Sequence, residues 1–375
     1  MPNSKLQIGV IFGGRSGEHE VSLMSARSVL AALDPKKYEV IQIGITHEGQ
    51  WLMDGDVIGA FEGGQYQSLT AVTFLPDPTR MGLWILRQIE GRDSIELASE
   101  IDVFFPVLHG SYGEDGTIQG LFELAGVAYV GAGVLGSSLG MDKGVFKDVM
   151  RANQIPVVDG QVILRRNLSA NMEKTIDILE SIAPYPLFTK PANMGSSVGV
   201  TKCWNRSDLL EGVMEAARFD RRILVERGIN AREIEISVLG NSEPRASVPG
   251  EIIPAAEFYS YQAKYHNEHS ELFIPAELPQ DVSEQMRKLA IKAYQAIDCA
   301  GMARVDFLLD KESGEYYLNE VNTIPGFTKI SMYPKLWEAS GLDYPSLIDE
   351  LINLALERKT EREKSEFRYS DPKKL

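Results

Sequence analysis

Apolar positions along this chain switch between two periods. "KLQIGVIFGG" is an almost unbroken apolar run closed by two glycines, and it predicts a buried strand. In "HEVSLMSARSVLAAL" the apolar residues Val21, Met24, Val29 and Leu33 recur at helical spacing, and "YEVIQIGI" returns to a strand. Strand, helix and strand in this order predict a βαβ opening with parallel strands and a right-handed crossover. "IDVFFPVLHG" at residues 101–110 reads as another buried strand and "TIQGLFELAG" as the helix after it, with "VAYVGAG" closing the unit near residue 133.

Further on, "MDKGVFKDVMRAN" predicts a helix that must stop before Pro156 in "QIPVV". "PLFTKP" and "VGVTKC" read as strands around the polar loop "PANMGSSVG", and "RSDLLEGVMEAARF" as an amphipathic helix. These form a small α+β lobe ending near residue 222. "RILVERGI" and "REIEISVLG" then open a third, mainly antiparallel region, in which "KESG" joins "MARVDFLLD" to "EYYLNEVN" as a hairpin. "EFYSYQAKYHNEHSELFIPAELP" has no clean period; an irregular stretch of that size inside a compact chain points to function.

A length of 375 residues sets two or three domains, and 44% hydrophobic residues with 33 glycines suit a compact α/β enzyme. No apolar run reaches membrane-spanning length, and "MPNSKLQIGVIFGG" lacks a signal peptide's layout. Cys203 and Cys299 are too few and too scattered for a disulfide framework or a zinc site, which points to a reducing cytoplasm. A formal charge of −15 argues against nucleic acid as a partner but leaves room for a nucleotide held by local lysines and a metal. The C-terminal "LERKTEREKSEFRYSDPKKL" mixes both signs and reads as a helix end fraying into a solvated tail.

The candidate chemistry concentrates in "YLNEVNTIPGF". Glu320 and Asn322 are two residues apart on a strand and point to one face; Arg304 and Asp306 do the same on its hairpin partner. Two carboxylates and an amide oxygen are hard ligands of the kind magnesium takes beside phosphates. The same residues would also serve a plain salt bridge of Arg304 with Asp306 or Glu320. No G-x-x-x-x-G-K-S/T run occurs, so phosphate falls to Lys190, the loop Gly195–Gly199 and Lys143, although a surface turn explains that loop's glycines and serines equally well. "FGGRSGEHE" places glycines between strand and helix, but with spacing unlike a dinucleotide fingerprint, and Glu18 and Glu20 suit the helix dipole there. His109 sits at a strand's C-terminal end, where open α/β sheets bind ligands, whereas His47, His266 and His269 lie in polar surroundings.

Taken in order, "GGRSGEHEVS", "HGSYGEDGTIQG", "MDKG", "KPANMGSSVGV", "AKY", "GMARVDF" and "NEVNTIPGFTKISMYP" resemble the D-alanine–D-alanine ligases of the ATP-grasp superfamily, from Gly9 to about Glu357. The resemblance implies an α/β chain, α+β in parts, with a three-domain ATP-grasp architecture and an N-terminal parallel-sheet βαβ domain. It divides into an N-terminal domain over 1–140, a central lobe over 141–222, a C-terminal domain over 223–358 and a charged tail over 359–375. It implies that ATP and two D-alanines are the substrates, that the product serves peptidoglycan precursor synthesis, and that the enzyme is a homodimer.

By the same resemblance Lys143, Lys190 and Ser197 contact phosphates, Glu226 with backbone around Arg227 and Ile229 binds adenine, and Glu233 binds ribose. Asp306, Glu320 and Asn322 ligate two Mg2+ ions, with Mn2+ a substitute, while Arg304 and the Gly326 N–H hold the oxyanion. Glu18, Ser196 and Tyr265 form a triad around the first D-alanine, His109 lies near the substrates, Lys264 reaches transferred phosphate and Ser331 the second carboxylate. Gln262 stands where relatives often have an acid. The competing readings are a related ligase making D-alanyl-D-lactate, against which "AKY" speaks, and a regulatory nucleotide binder without catalysis, against which the complete Arg304, Asp306, Glu320 and Asn322 set speaks.

Overall fold

The computed structural model describes residues 5–253 and 271–366. Three sheets organise them. The first has eight strands: β1 (Leu6–Gly13), β2 (Tyr38–Ile45), β3 (Trp51–Met53), β4 (Thr70–Phe74), β5 (Leu83–Ile89), β6 (Arg92–Ser99), β7 (Val103–Pro106) and β8 (Ala128–Tyr129). They lie in the order β6-β5-β4-β3-β2-β1-β7-β8. β1 runs parallel to β2 and β7, as the unbroken apolar runs predict for strands covered on both faces. The antiparallel meander β3 to β6 escaped the sequence reading because its outer strands are short or exposed and show little apolar alternation.

The second sheet holds β9 (Gly160–Leu164), β10 (Leu187–Pro191), β11 (Thr201–Cys203) and β12 (Arg222–Arg227). One expectation fails here. "RILVER" does not open the third region; it pairs antiparallel with β10 and β9, so the central lobe extends past residue 222. The apolar run is identical for either partner, and pairing alone decides its sheet.

The third sheet contains β13 (Ala231–Gly240), β14 (Arg245–Ala246), β15 (Gly250–Ile253), β16 (Glu271–Phe273), β17 (Gly301–Asp310) and β18 (Tyr316–Asn322), with β17 between β13 and β18. β17 and β18 form the expected hairpin, with Asp306 opposite Glu320 and Arg304 opposite Asn322. The register slips after Asp306, where Phe307 pairs with Leu318, so Asn319 is the extra residue of a bulge. A bulge bends its strand and re-aims neighbouring side chains. The sheet's core residues Ile234, Ile236, Val305 and Phe307 pack with Met286, Ala290 and Tyr294 of the helix Gln280–Ala296.

The two ends of the chain share one core. Ile8, Val10 and Phe105 of the first sheet cluster with Leu347, Leu351 and Ile352 of the helix Tyr344–Glu363 and with Phe327 and Trp337. The C-terminal charge run is therefore not simply solvated. Arg358 stacks on the Tyr129 ring at 4.1 Å, donates to the Gly131 and Tyr129 carbonyls, and Arg362 pairs with Glu123 at 2.7 Å. Residues 367–375 of that run lie outside the described residues.

β17 begins where two backbones nearly touch. Gly301 has φ +71°, and a Cβ there would stand 3.1 Å from the Gly131 nitrogen. Gly314, in the turn between β17 and β18, has φ +72° but open space around it. Gly301→Ala is expected to destabilise the protein by about 2–4 kcal/mol, conformational strain and overpacking together, whereas Gly314→Ala costs about 1 kcal/mol. Urea unfolding of the two variants measures the difference; equal midpoints would show that this close approach relaxes freely.

Candidate active site

Arg304 is the hub of the hairpin site. Its Nε and Nη2 donate to the two Asp306 oxygens at 2.8 and 2.6 Å, and Nε also lies 2.9 Å from Glu235 Oε2. Burial would lower the Arg304 pKa, but Asp306 and Glu235 outweigh it and hold the guanidinium charged. Asn322 donates its Nδ2 to Asp306 at 2.8 Å, which leaves its amide oxygen for a cation. Lys143 Nζ lies 3.6 Å from Glu320 Oε2 and donates to the Met194 carbonyl at 2.8 Å. The salt bridge of Arg304 with Asp306 read from the sequence is present, and Asp306, Glu320 and Asn322 share the same part of the hairpin. Among the described residues no group of three His, Cys, Asp or Glu side chains could hold a metal alone. Two carboxylates and one amide oxygen fit instead a magnesium ion that keeps phosphate oxygens and waters in its shell.

A second charged group lies on the central sheet. Glu226 on β12 is buried between Lys147 Nζ at 2.6 Å and Lys190 Nζ at 2.7 Å. Burial pushes its pKa up, yet the two lysines outweigh that and hold it down, at about 2. Lys190 is raised, burial being outweighed chiefly by Glu226 with help from Glu320 and Glu233, so it lies within electrostatic reach of the hairpin carboxylates and of β13. The Arg227 N–H donates to the Asp159 carbonyl at 2.9 Å. Ile229 is half-buried between β12 and β13.

The third group joins the first domain to the serine loop. Ser196 donates to the Glu18 carboxylate across the gap between them. The approach needs glycine on both sides: a Cβ at Gly195 or Gly110 would stand 2.6 or 2.5 Å from Glu18 Oε2. Ser196 and Ser197 hold φ of +49° and +59°, a left-handed conformation that side chains rarely adopt and that clusters at ligand loops. Gly326 lies against Ser331, whose Oγ receives the Thr328 N–H at 3.1 Å.

His109 is buried, its Nδ1 2.9 Å from the Ile324 carbonyl and its Nε2 3.0 Å from Ser25 Oγ. The carbonyl accepts only, so Nδ1 carries the proton and Nε2 accepts from Ser25. Burial lowers the His109 pKa and favours this neutral form. The residue therefore fastens the strand end at Ile324 to the helix His19–Ala32. Lys264, Tyr265 and Gln262, with His266 and His269, lie outside the described residues.

The chain matches the descriptions "D-ala D-ala ligase N-terminus" over residues 7–132 and "D-ala D-ala ligase C-terminus" over residues 149–353. The D-alanine–D-alanine ligase of Heliobacterium modesticaldum is 51% identical over 96% of this chain and 97% of its own length. This chain belongs to the D-alanine–D-alanine ligase family. The ligase of Caldicellulosiruptor bescii is 49% identical over 98% of this chain and 99% of its own. Among solved structures, the D-alanine–D-alanine ligase of Coxiella burnetii superposes with TM-score 0.81 at 37% identity, covering 96% of each chain. The VanG D-Ala:D-Ser ligase of Enterococcus faecalis gives 0.82 at 35%, covering 94% of this chain and 100% of its own. The fold is that of these ATP-grasp ligases, and the D-alanine–D-alanine ligase family joins two D-alanines at the expense of ATP. No described helix is long and apolar enough to cross a membrane.

Sequence reasoning about this ligase missed four polar residues. Lys147 lies one helical turn beyond Lys143, and that i, i+4 spacing was the available signal. Glu235 lies two residues after Glu233 on β13 and so shares its face. Ser25 gave no signal. Glu114, inside "HGSYGEDG", accepts the Gly110 N–H at 2.7 Å and the Ile324 N–H at 3.2 Å.

Burial, then the neighbouring Glu18 charge, push the Glu114 pKa up to about 8. An acid raised in the folded state stabilises the fold below its unfolded pKa and loses that contribution as pH rises through the folded value. Wild type is therefore expected to lose stability on the order of 3–5 kcal/mol relative to Glu114→Gln between pH 4.5 and pH 8.5. Urea midpoints of both proteins across this window read the sign; a wild type that gains on the variant as pH rises would show Glu114 ionised throughout.

Proposed function

We propose that this ligase activates one D-alanine carboxylate as an acyl phosphate and then couples it to the amine of a second D-alanine. The observation that carries this reading is the convergence of Asp306, Glu320 and Asn322 with Arg304 and Lys143, facing a serine loop tethered to Glu18. A carboxylate is a poor electrophile, so its oxygen first attacks the γ-phosphorus of ATP. The new O–P bond forms, the bond to the β-phosphate oxygen breaks, and ADP leaves. The second amine, in its neutral form, then attacks the acyl carbon, and inorganic phosphate departs with the electron pair of the broken C–O bond. The nitrogen gives up one proton, which the phosphate or water takes. Such transfer is mostly positioning plus charge neutralisation.

The residues divide that work. Lys143, Lys190 and Ser197 hold the triphosphate, and Lys264 reaches the transferred phosphoryl group. Glu226, backbone at Arg227 and Ile229, and Glu233 hold adenine and ribose. Glu18 and Ser196, with Tyr265, orient the first D-alanine, Ser331 takes the second carboxylate, and His109 backs the substrates. Arg304 and the Gly326 N–H stabilise the oxyanion, with Glu235 keeping the guanidinium in place. Asp306, Glu320 and Asn322 would hold two magnesium ions, or manganese in their stead, which when bound supply charge neutralisation at the phosphates. We take the domain division from the sequence, with β12 placed in the central lobe and the last helix carried on to Glu363. The protein acts as a cytoplasmic homodimer feeding peptidoglycan precursor synthesis, and sedimentation at twice the 41.6 kDa chain mass tests that assembly.

The deciding experiment gives the purified protein ATP, magnesium and D-alanine, with D-serine and D-lactate as competing second substrates, and separates the products. D-alanyl-D-alanine is expected to dominate at neutral pH; predominance of the ester or of the D-serine product would overturn the amide acceptor assignment. Glu320→Ala is expected to lower turnover by at least about a hundredfold, since it removes one carboxylate from the metal set. Near-normal phosphate release by that variant at saturating magnesium would remove Glu320 from the site.

A further inference from the structure

Glu226 and Lys147 are 3% and 2% exposed, and their ion pair is 2.6 Å long. Fully buried lysines are rare, and a buried ion pair is seldom more stabilising than apolar residues of the same volume. This pair therefore calls for a reason other than stability. Lys190, the second partner of Glu226, is more exposed at 17% and also feels Glu320 and Glu233. Burial lowers the Lys147 pKa, and Glu226 is the carboxylate that opposes this most strongly among the described residues, while Lys190 and Arg151 repel the charge. The three groups carry one surplus positive charge, so one lysine can leave Glu226 without stranding the carboxylate. Lys190 is placed to leave and Lys147 to stay.

We propose that Lys147 is a positioning residue for nucleotide choice: it keeps Glu226 an ionised, acceptor-only carboxylate when Lys190 turns to the triphosphate, so that the base pocket selects a purine bearing an exocyclic amine. The inference rests on the reading of Glu226 as the adenine contact. An ionised carboxylate accepts from the amine at C6 and repels a carbonyl oxygen at that position. A protonated one could donate to that carbonyl, and the choice between the two bases would fade. The charge on Lys147 thus acts on the base through Glu226, without touching the nucleotide.

The test compares ATP with inosine triphosphate, which carries a carbonyl oxygen in place of the C6 amine. Phosphate release at saturating D-alanine gives kcat/KM for each nucleotide in wild type, Lys147→Met, Lys147→Arg and Glu226→Gln. Lys147→Met is expected to lower the ATP-over-ITP ratio by about ten- to a hundredfold, mostly through KM for ATP, the range set by a hydrogen bond to a charged group. Lys147→Arg is expected to restore most of it. Each ratio is taken within one preparation, so a partly folded variant does not distort it. Should Lys147→Met not accumulate as folded protein, Lys147→Gln, which keeps a donor without the charge, carries the same expectation. If Glu226→Gln lowers the ratio and the uncharged Lys147 variants leave it intact, the role of Lys147 is overturned and the adenine contact stands. If Glu226→Gln leaves the ratio intact, the adenine contact itself falls, and the inference with it.

Discussion

Asp306 and Glu320 face each other across a two-stranded hairpin, and two carboxylates at that distance repel unless cations stand against them. Arg304 and Lys143 are those cations. Much of the architecture exists to bring them there. Arg304 comes from the same strand as Asp306 and is steadied from the other side by Glu235, opposite Asp306 on β13. Lys143 comes from the first residue of a helix, and its backbone N–H bonds the Ala192 carbonyl beside the serine loop. The hairpin, β13 and the central lobe are thereby joined through charge at one point.

That arrangement also explains how a chain with a formal charge of −15 can handle a polyanion. The excess negative charge is spread over the surface, while cations meet carboxylates inside, where screening is weak and each pair counts for more. Lys147, Lys190, Lys143 and Arg304 all have carboxylate partners. On the proposed assignment, Lys190 and Lys143 exchange such a partner for a phosphate oxygen with little change in net charge, while Lys147 keeps Glu226.

Rigidity around the site comes from unlike sources. The segment just after β18, at Ile324, is held by His109 and Glu114, both reaching over from the first domain. The Tyr344–Glu363 helix packs on the first sheet and anchors Arg358 on Tyr129, so the last helix braces the first domain. The serine loop, by contrast, rests on left-handed backbone and its tie to Glu18. Left-handed backbone of this kind costs energy that the surrounding contacts must offset.

Local pattern was enough for much of this protein. The run from Leu6 to Gly13, the helical spacing after it and the turn at Lys311–Gly314 specify a parallel βαβ start and an antiparallel hairpin, because side-chain period and turn chemistry are properties of neighbouring residues. The i, i+2 spacing of Glu320 and Asn322 put both on one face for the same reason. Pairing was not legible in that way. β12 would satisfy either sheet by its apolar content, and the weakly patterned β5 and β6 become strands through pairing, β5 with β4 and β6 with β5. Nor could sequence alone bury Lys147 against Glu226, 79 positions apart, or carry Glu18 to Ser196, since a side chain's charge partner is fixed by which backbones the folded chain brings together.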